Sequence, residues 1–298
     1  MGIGKAIYGG PASFDGVKRS LSTLAVAAGL ALPLAGCADD PFLDFLNPTA
    51  SGDEQAGSVP AMMRMAEASR AKGNHRLAAG IYRRAHALEP QSVEPLVKLG
   101  ESLNDLRAHN EAVDAFRSAL RIEPRTAAAM RGLGHAFLGL RQPRMAIRQF
   151  EAALAVVDGD YRAYLGRGVA HDMTGDHASA QVDYRKGLEL DAGNLSLRNN
   201  LGLSLSFSGR HVAAIELLRE VVASSNATAR HCQNLALAYG LAGRTEDAAR
   251  IARMDLGERQ VQDNLAYYEM LRGMDDSKRG AAAIGAHQAP RVKPKKSQ

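Results

Sequence analysis

The chain runs to 298 residues with a formal net charge of +5, no tryptophan and two cysteines, a length for two ordinary domains or one elongated array. The sparse alternation of β-branched residues excludes a substantial sheet. The positive balance alone would admit a nucleic-acid partner, and only the first residues argue against one.

Lys18 and Arg19 precede an apolar run from Leu21 to Leu34. That run is short for a membrane span of about 20 residues but suits the apolar region of a signal peptide. It ends in Leu34-Ala35-Gly36-Cys37, which resembles the lipobox of bacterial lipoproteins. The resemblance implies a signal peptide over residues 1–36, cleavage before Cys37 and acylation of Cys37. Ala38 stands where the usual inner-membrane retention signal has aspartate, so an outer-membrane, periplasmic-face destination is expected. A start at Val17 instead of Met1 would give the leader its usual short basic form, and the downstream lipobox argues against reading Met1-Gly2 as a myristoylation signal. Export removes nucleic acid as a partner. It also leaves Cys232 without a disulfide partner, so Cys232 reads as a small buried apolar residue.

Residues 37–58 carry Asp39, Asp40, Asp44, Asp53 and Glu54 and no basic residue, broken by Pro41, Pro48, Gly52 and Gly57. This reads as a flexible tether that reaches roughly 70 Å when extended.

From Val59 to Gln262 one 34-residue pattern repeats six times without a gap, over 59–92, 93–126, 127–160, 161–194, 195–228 and 229–262. Place 20 is Ala78, Ala112, Ala146, Ala180, Ala214 and Ala248; place 8 is Ala66, Gly100, Gly134, Gly168, Gly202 and Ala236. Large residues recur at place 24: Tyr82, Phe116, Phe150, Tyr184 and Leu218. Apolar spacing of three and four residues in two successive runs predicts a helical hairpin per repeat. Gly73, Gly175, Gly209 and Gly243 at place 15 would end the first helix in a left-handed turn, and Pro90 and Pro124 at place 32 would close the second. These residues resemble the tetratricopeptide repeat, which implies an all-α solenoid. Arg167 and Asp255 depart from it, standing where apolar residues are expected.

Asp263 opens a further amphipathic stretch with Leu265, Tyr268 and Leu271 on one face, so residues 263–274 are expected to form a capping helix. From residue 275 to 298 the chain turns basic and unpatterned and reads as a disordered tail. Arg291, Lys293, Lys295 and Lys296 admit two readings, a contact for anionic surfaces or a solvated end.

His75, His109, His177 and His211 share place 17, but equivalent places on neighbouring hairpins lie about 8–10 Å apart or more, while a zinc ion needs ligands at about 2 Å. They are expected to pack at the turn into each second helix. The sequence carries no HExxH, paired CxxC, GxSxG or phosphate-cradling motif, so no metal, cofactor, small-molecule substrate or enzymatic activity is expected.

In tetratricopeptide arrays the first helices line the concave side, with places 5 and 9 facing in. Here those places begin acidic (Glu67, Glu101) and turn basic at Arg131 and His135. They become apolar through Leu165 and Val169, Asn199 and Leu203, and Gln233 and Leu237, with Arg162 at the edge. The lysine and asparagine clamp that binds terminal carboxylates is absent, since repeat 1 has Met63 and Glu67. A protein segment with an apolar face and an acidic residue would suit this groove. Signal peptide, lipobox, tether and repeats together resemble the TadD lipoproteins of the tight-adherence (Flp) pilus system, which implies a role in assembling or placing the outer-membrane secretin. A pilotin of another secretion or type IV pilus system, and an NlpI-like adaptor for cell-wall enzymes, remain alternatives.

Overall fold

The computed structural model describes residues 57–286. The signal segment, Cys37, most of the tether and the basic residues from Arg291 to Lys296 lie outside the described residues. Among those described the fold is all-α, with fourteen helices.

Six hairpins follow one another: α1 (Val59–Ala71) with α2 (His75–Leu88), α3 (Glu94–Asp105) with α4 (His109–Ile122), and α5 (Ala127–Gly139) with α6 (Pro143–Val156). Then come α7 (Tyr161–Thr174) with α8 (His177–Leu190), α9 (Leu195–Phe207) with α10 (His211–Ala223), and α11 (Ala229–Leu241) with α12 (Thr245–Ala252). Two single helices finish the chain, α13 (Glu258–Arg272) and α14 (Asp276–Ala286).

The hairpin turns are fixed by backbone chemistry. Gly73, Gly175, Gly209 and Gly243 have φ of 79°, 83°, 77° and 75°. At the first, Asn74 N–H donates to Ser69 O and Gly73 N–H to Arg70 O, the paired bonds that satisfy the last carbonyls of a helix. Repeats 2 and 3 make the same turn without glycine, holding Arg107 at φ 61° and Arg141 at φ 59°, a conformation that costs a side-chain-bearing residue about 1–2 kcal/mol.

The small residues make room for rings. All six place-20 alanines are fully buried. A methyl added at Gly100 would lie 2.6 Å from the Phe116 ring, and one at Gly132 in the next repeat 2.3 Å from it. Phe150 is held the same way between Gly134 and Gly166, at 2.8 and 2.4 Å. Each ring thus plugs into place 8 of its own hairpin and place 6 of the next, which turns hairpins into a continuous array.

The two misfits have physical explanations. Arg167 reaches Asp183 with both arms, Nε to Oδ2 at 3.0 Å and a terminal nitrogen to Oδ1 at 2.7 Å, so a charge pair replaces the apolar contact of repeat 4. Asp255 stays exposed, and α12 stops after eight residues at Ala252, since a carboxylate there cannot continue a buried stripe. The chain restarts at Gly257, whose N–H donates to Gln260 Oε1 at 3.1 Å. The final cap α13 therefore begins at Glu258, earlier than the 263–274 read from the sequence.

The expected disordered tail from residue 275 is corrected over its first part. Residues 276–286 form α14, which turns back from the end of the array and packs on α7 and α9.

Candidate partner-binding groove

From α3 onward, consecutive odd-numbered helices touch one another in series, which places them on the inner side of the array and defines its groove.

At the N-terminal end the acidic places are neutralised across repeats. Arg70 on α1 pairs with Glu101 at 2.7 Å and Asp105 at 3.0 Å on α3, and Lys98 lies 3.7 Å from Glu67. In the middle, Arg131 does not offer a free charge: its guanidinium pairs with Asp160, whose other oxygen accepts from Arg162 N at 3.0 Å and caps α7. His135 stands edge-on to Phe150, ring centroids 5.1 Å apart, with an open edge toward the groove. Crowding by surrounding protein, and then the Arg131 charge, lowers its pKa. Arg162 is exposed and lies 5.0 Å over the Tyr161 ring. Leu165, one turn on, is half-buried.

The C-terminal half departs from the expected open apolar strip. Val169, Leu203 and Leu237 are only 3%, 2% and 5% exposed. Asn199 is buried too, accepting from Asn234 Nδ2 at 2.8 Å and donating to Asn200 Oδ1 at 3.2 Å. Gln233 is half-buried. Over Val169 and Leu203 the cover is α14, which packs on α7 and α9 and whose Ile284 shares a core with Leu203 and Phe207 and lines a small cavity with Val169. Over repeat 6, α13 lies along α11, and Leu237 joins the core that contains Tyr268 and Leu271. The structure thus leaves Arg162, His135 and Leu165 at an accessible edge and withdraws Val169, Asn199, Leu203 and Leu237 from solvent.

Beneath α14 lies a polar cluster that sequence reasoning did not single out. Asp172 on α7 is 2% exposed and accepts from Tyr184 Oη at 2.8 Å, Ser204 Oγ at 2.7 Å and His177 Nδ1 at 2.7 Å. His177 Nε2 donates to the main-chain oxygen of Asp276 in the first turn of α14 at 2.9 Å. Burial works against a charge on this ring, but the bonds to Asp172 and to the Asp276 carbonyl outweigh it and raise the His177 pKa. The hydroxyl of Ser204 donates to the carboxylate and not to the imidazole, so no nucleophile and base are paired. The cluster positions the main chain of α14. Its signal in the sequence was two polar residues, Asp172 and Ser204, on otherwise small and apolar stretches of first helices.

Two of the other shared-place histidines also contact turn residues. His109 Nδ1 contacts Asn104 Oδ1 at 3.2 Å and His75 lies 3.3 Å from Asp105.

Comparison with known proteins agrees with this architecture. A tetratricopeptide-repeat family model matches residues 131–194. The structure of a thermophilic tetratricopeptide-repeat protein of Thermus thermophilus is similar over 61% of this chain and 98% of its own, at 19% identity and TM-score 0.55. PilF of Pseudomonas aeruginosa is similar over 70% of this chain and 97% of its own, at 17% identity and TM-score 0.58. A tetratricopeptide-repeat protein of Parabacteroides merdae covers 71% and 84%, at 16% identity and TM-score 0.57. At these identities the likeness is one of fold. No curated protein matches the sequence.

Proposed function

We propose that this protein is a non-enzymatic scaffold that holds a protein partner in the groove of its repeats, on the periplasmic face of the outer membrane, through a lipid on Cys37. The observation that carries the groove reading is the accessible edge formed by His135, Arg162 and Leu165, where an exposed cation stands one turn from an apolar side chain. Such an edge suits a segment with an acidic residue beside an apolar one: charge gives orientation and approach rate, apolar contact gives residence. Arg131 contributes indirectly, by holding Asp160 and thereby the start of α7 that carries Arg162 and Leu165.

The pathway reading rests on sequence features. The lipobox, tether and repeats in one chain support a lipoprotein of the tight-adherence pilus type, with the secretin or another pilus or secretion component as partner. A pilotin of another system or an NlpI-like adaptor shares the same features. Export makes nucleic acid no part of the function.

The test is capture of the partner from native membranes. Arg162→Glu with Leu165→Asp is expected to reduce capture at least tenfold while circular dichroism and membrane attachment stay as in the wild type. Undiminished capture by this folded variant would move the partner site away from the groove edge. Leu203, proposed from sequence alone as a binding contact, is unsuited to this test because it is buried beneath α14.

A further inference from the structure

The helix α14 is not needed to close the array. The apolar face that α11 and α12 leave is met by α13, which packs on both. Instead of stacking next in line, α14 turns back and lies on α7 and α9, two repeats earlier.

Its seat is built from residues that address main chain and small side chains. The Asp276 carbonyl accepts from His177 Nε2. One turn on, Gly280 passes so close to α7 that a methyl group there would lie 2.5 Å from Asp172 O and 2.8 Å from His177 Cε1. One turn further, Ile284, 2% exposed, joins the core that contains Leu203 and Phe207 and with them and Val169 lines a small cavity. These three contacts fall at i, i+4 and i+8, one face of a helix. Between them Arg279, 7% exposed, donates to Phe207 O at 2.9 Å, Leu271 O at 3.0 Å and Met274 O at 2.8 Å. It thus caps the last carbonyl of α9 and ties α14 to the end of α13, while pairing with Asp276 in its own first turn at 2.7 Å.

We infer that α14 is a displaceable occupant of the groove, and that the seat over repeats 4 and 5 accepts from a partner a short helix of the same chemistry. That chemistry is a first-turn carbonyl able to accept a second hydrogen bond, glycine one turn later and a branched aliphatic one turn after that. This rests on reading the concave side as the partner site and adds its regulation: the inner wall of repeats 4 and 5 becomes available only as α14 leaves. A helix of eleven residues is marginal on its own in water, so the released segment has little structure to retain, while the repeats beneath it keep Tyr184 against Gly168 and Leu218 against Gly202.

Two substitutions in α14 test this on the full chain without altering the seat. Gly280→Ala favours helix formation in α14 and blocks only its approach to Asp172 O; Ile284→Glu removes the apolar plug. Hydrogen exchange of the α14 amides reports release, and a labelled peptide of residues 274–286 reports access to the seat. Gly280→Ala is expected to exchange α14 amides at least tenfold faster than the wild type, with exchange in α1 to α12 unchanged, and to bind the peptide at least tenfold more tightly. Ile284→Glu should do the same. Faster exchange with no gain in peptide binding would show that the seat takes no helix in trans and would overturn the proposal. So would unchanged exchange in both variants, or loss of the whole fold in both, since either makes α14 a fixed part of the array. None of these results bears on capture at the Arg162 and Leu165 edge, which the membrane experiment tests separately.

Discussion

The coupling of one hairpin to the next is tested most sharply by adding a single methyl group at Gly132. Its Cβ would stand 2.3, 2.4 and 2.9 Å from Phe116 ring carbons, whereas carbon atoms settle at about 3.5–4.0 Å. The ring must therefore retreat by about 1 Å, and it has nowhere to go: it is fully buried, and Gly100 faces it from the other side. Overpacking of this kind costs about 1–3 kcal/mol. The better helix propensity of alanine returns roughly 1 kcal/mol, and because the ring is pinned on both sides the expected net loss for Gly132→Ala is about 1–2 kcal/mol. Gly80→Ala serves as the control, since nothing lies within 4 Å of its Cβ, and it should gain about 0.5–1 kcal/mol. Urea unfolding followed by circular dichroism measures both, compared by midpoint because a repeat array need not unfold in one step. Shortening the ring with Phe116→Leu in the Gly132→Ala background should recover part of the loss. If Gly132→Ala proves as stable as Gly80→Ala, rings do not lock neighbouring repeats in the way described.

Arg107→Gly should stabilise the chain by about 1 kcal/mol, read from the unfolding midpoint, because it relieves a left-handed turn that glycine makes without strain. Arg167→Leu should cost about 3 kcal/mol in the same assay, toward the low end for stranding a buried charge because the Arg167 side chain is 22% exposed; adding Asp183→Leu should recover most of it. Arg253 and Gln262 hold the Glu258 carboxyl down to about 2. Its contribution to the start of α13 is therefore present above the ordinary carboxylate range and lost as pH falls toward 2, and an NMR titration of this carboxyl checks the midpoint. Cys37→Ser should leave an unacylated protein that no longer fractionates with outer membranes after a high-salt wash, and its retention there would show anchoring independent of lipid.

Repeat structure was legible because it is written many times over. Alanine at place 20 and small residues at place 8 recur six times and a ring at place 24 four times, and the fold follows from helical spacing and steric size. The charge pair of Arg167 and Asp183 was visible only as a misfit, since the two residues meet across a hairpin and neither predicts the other. The groove was harder. Places 5 and 9 lie on the inner helices, but that does not mean facing water, and what covers Val169 and Leu203 is a segment some eighty residues or more further along the chain. That segment looked like tail because Asp276, Ser277, Lys278 and Arg279 are polar, and its apolar face, Ala283 and Ile284, is brief. The local pair of Arg279 with Asp276, at 2.7 Å, reads as an ordinary surface ion pair and does not say that Arg279 would be buried, because the carbonyls that hold it lie at the ends of two other helices.

Photocrosslinking in native envelopes tests most directly whether the inner side of the array is where the partner sits. A crosslinking residue placed at His135 or at Arg162 faces the groove edge, and one placed at Val212, 73% exposed on α10, faces away. Adducts of the same protein from both groove positions, and none from Val212, are expected. Adducts from Val212 with none from the groove positions would contradict a groove-held partner.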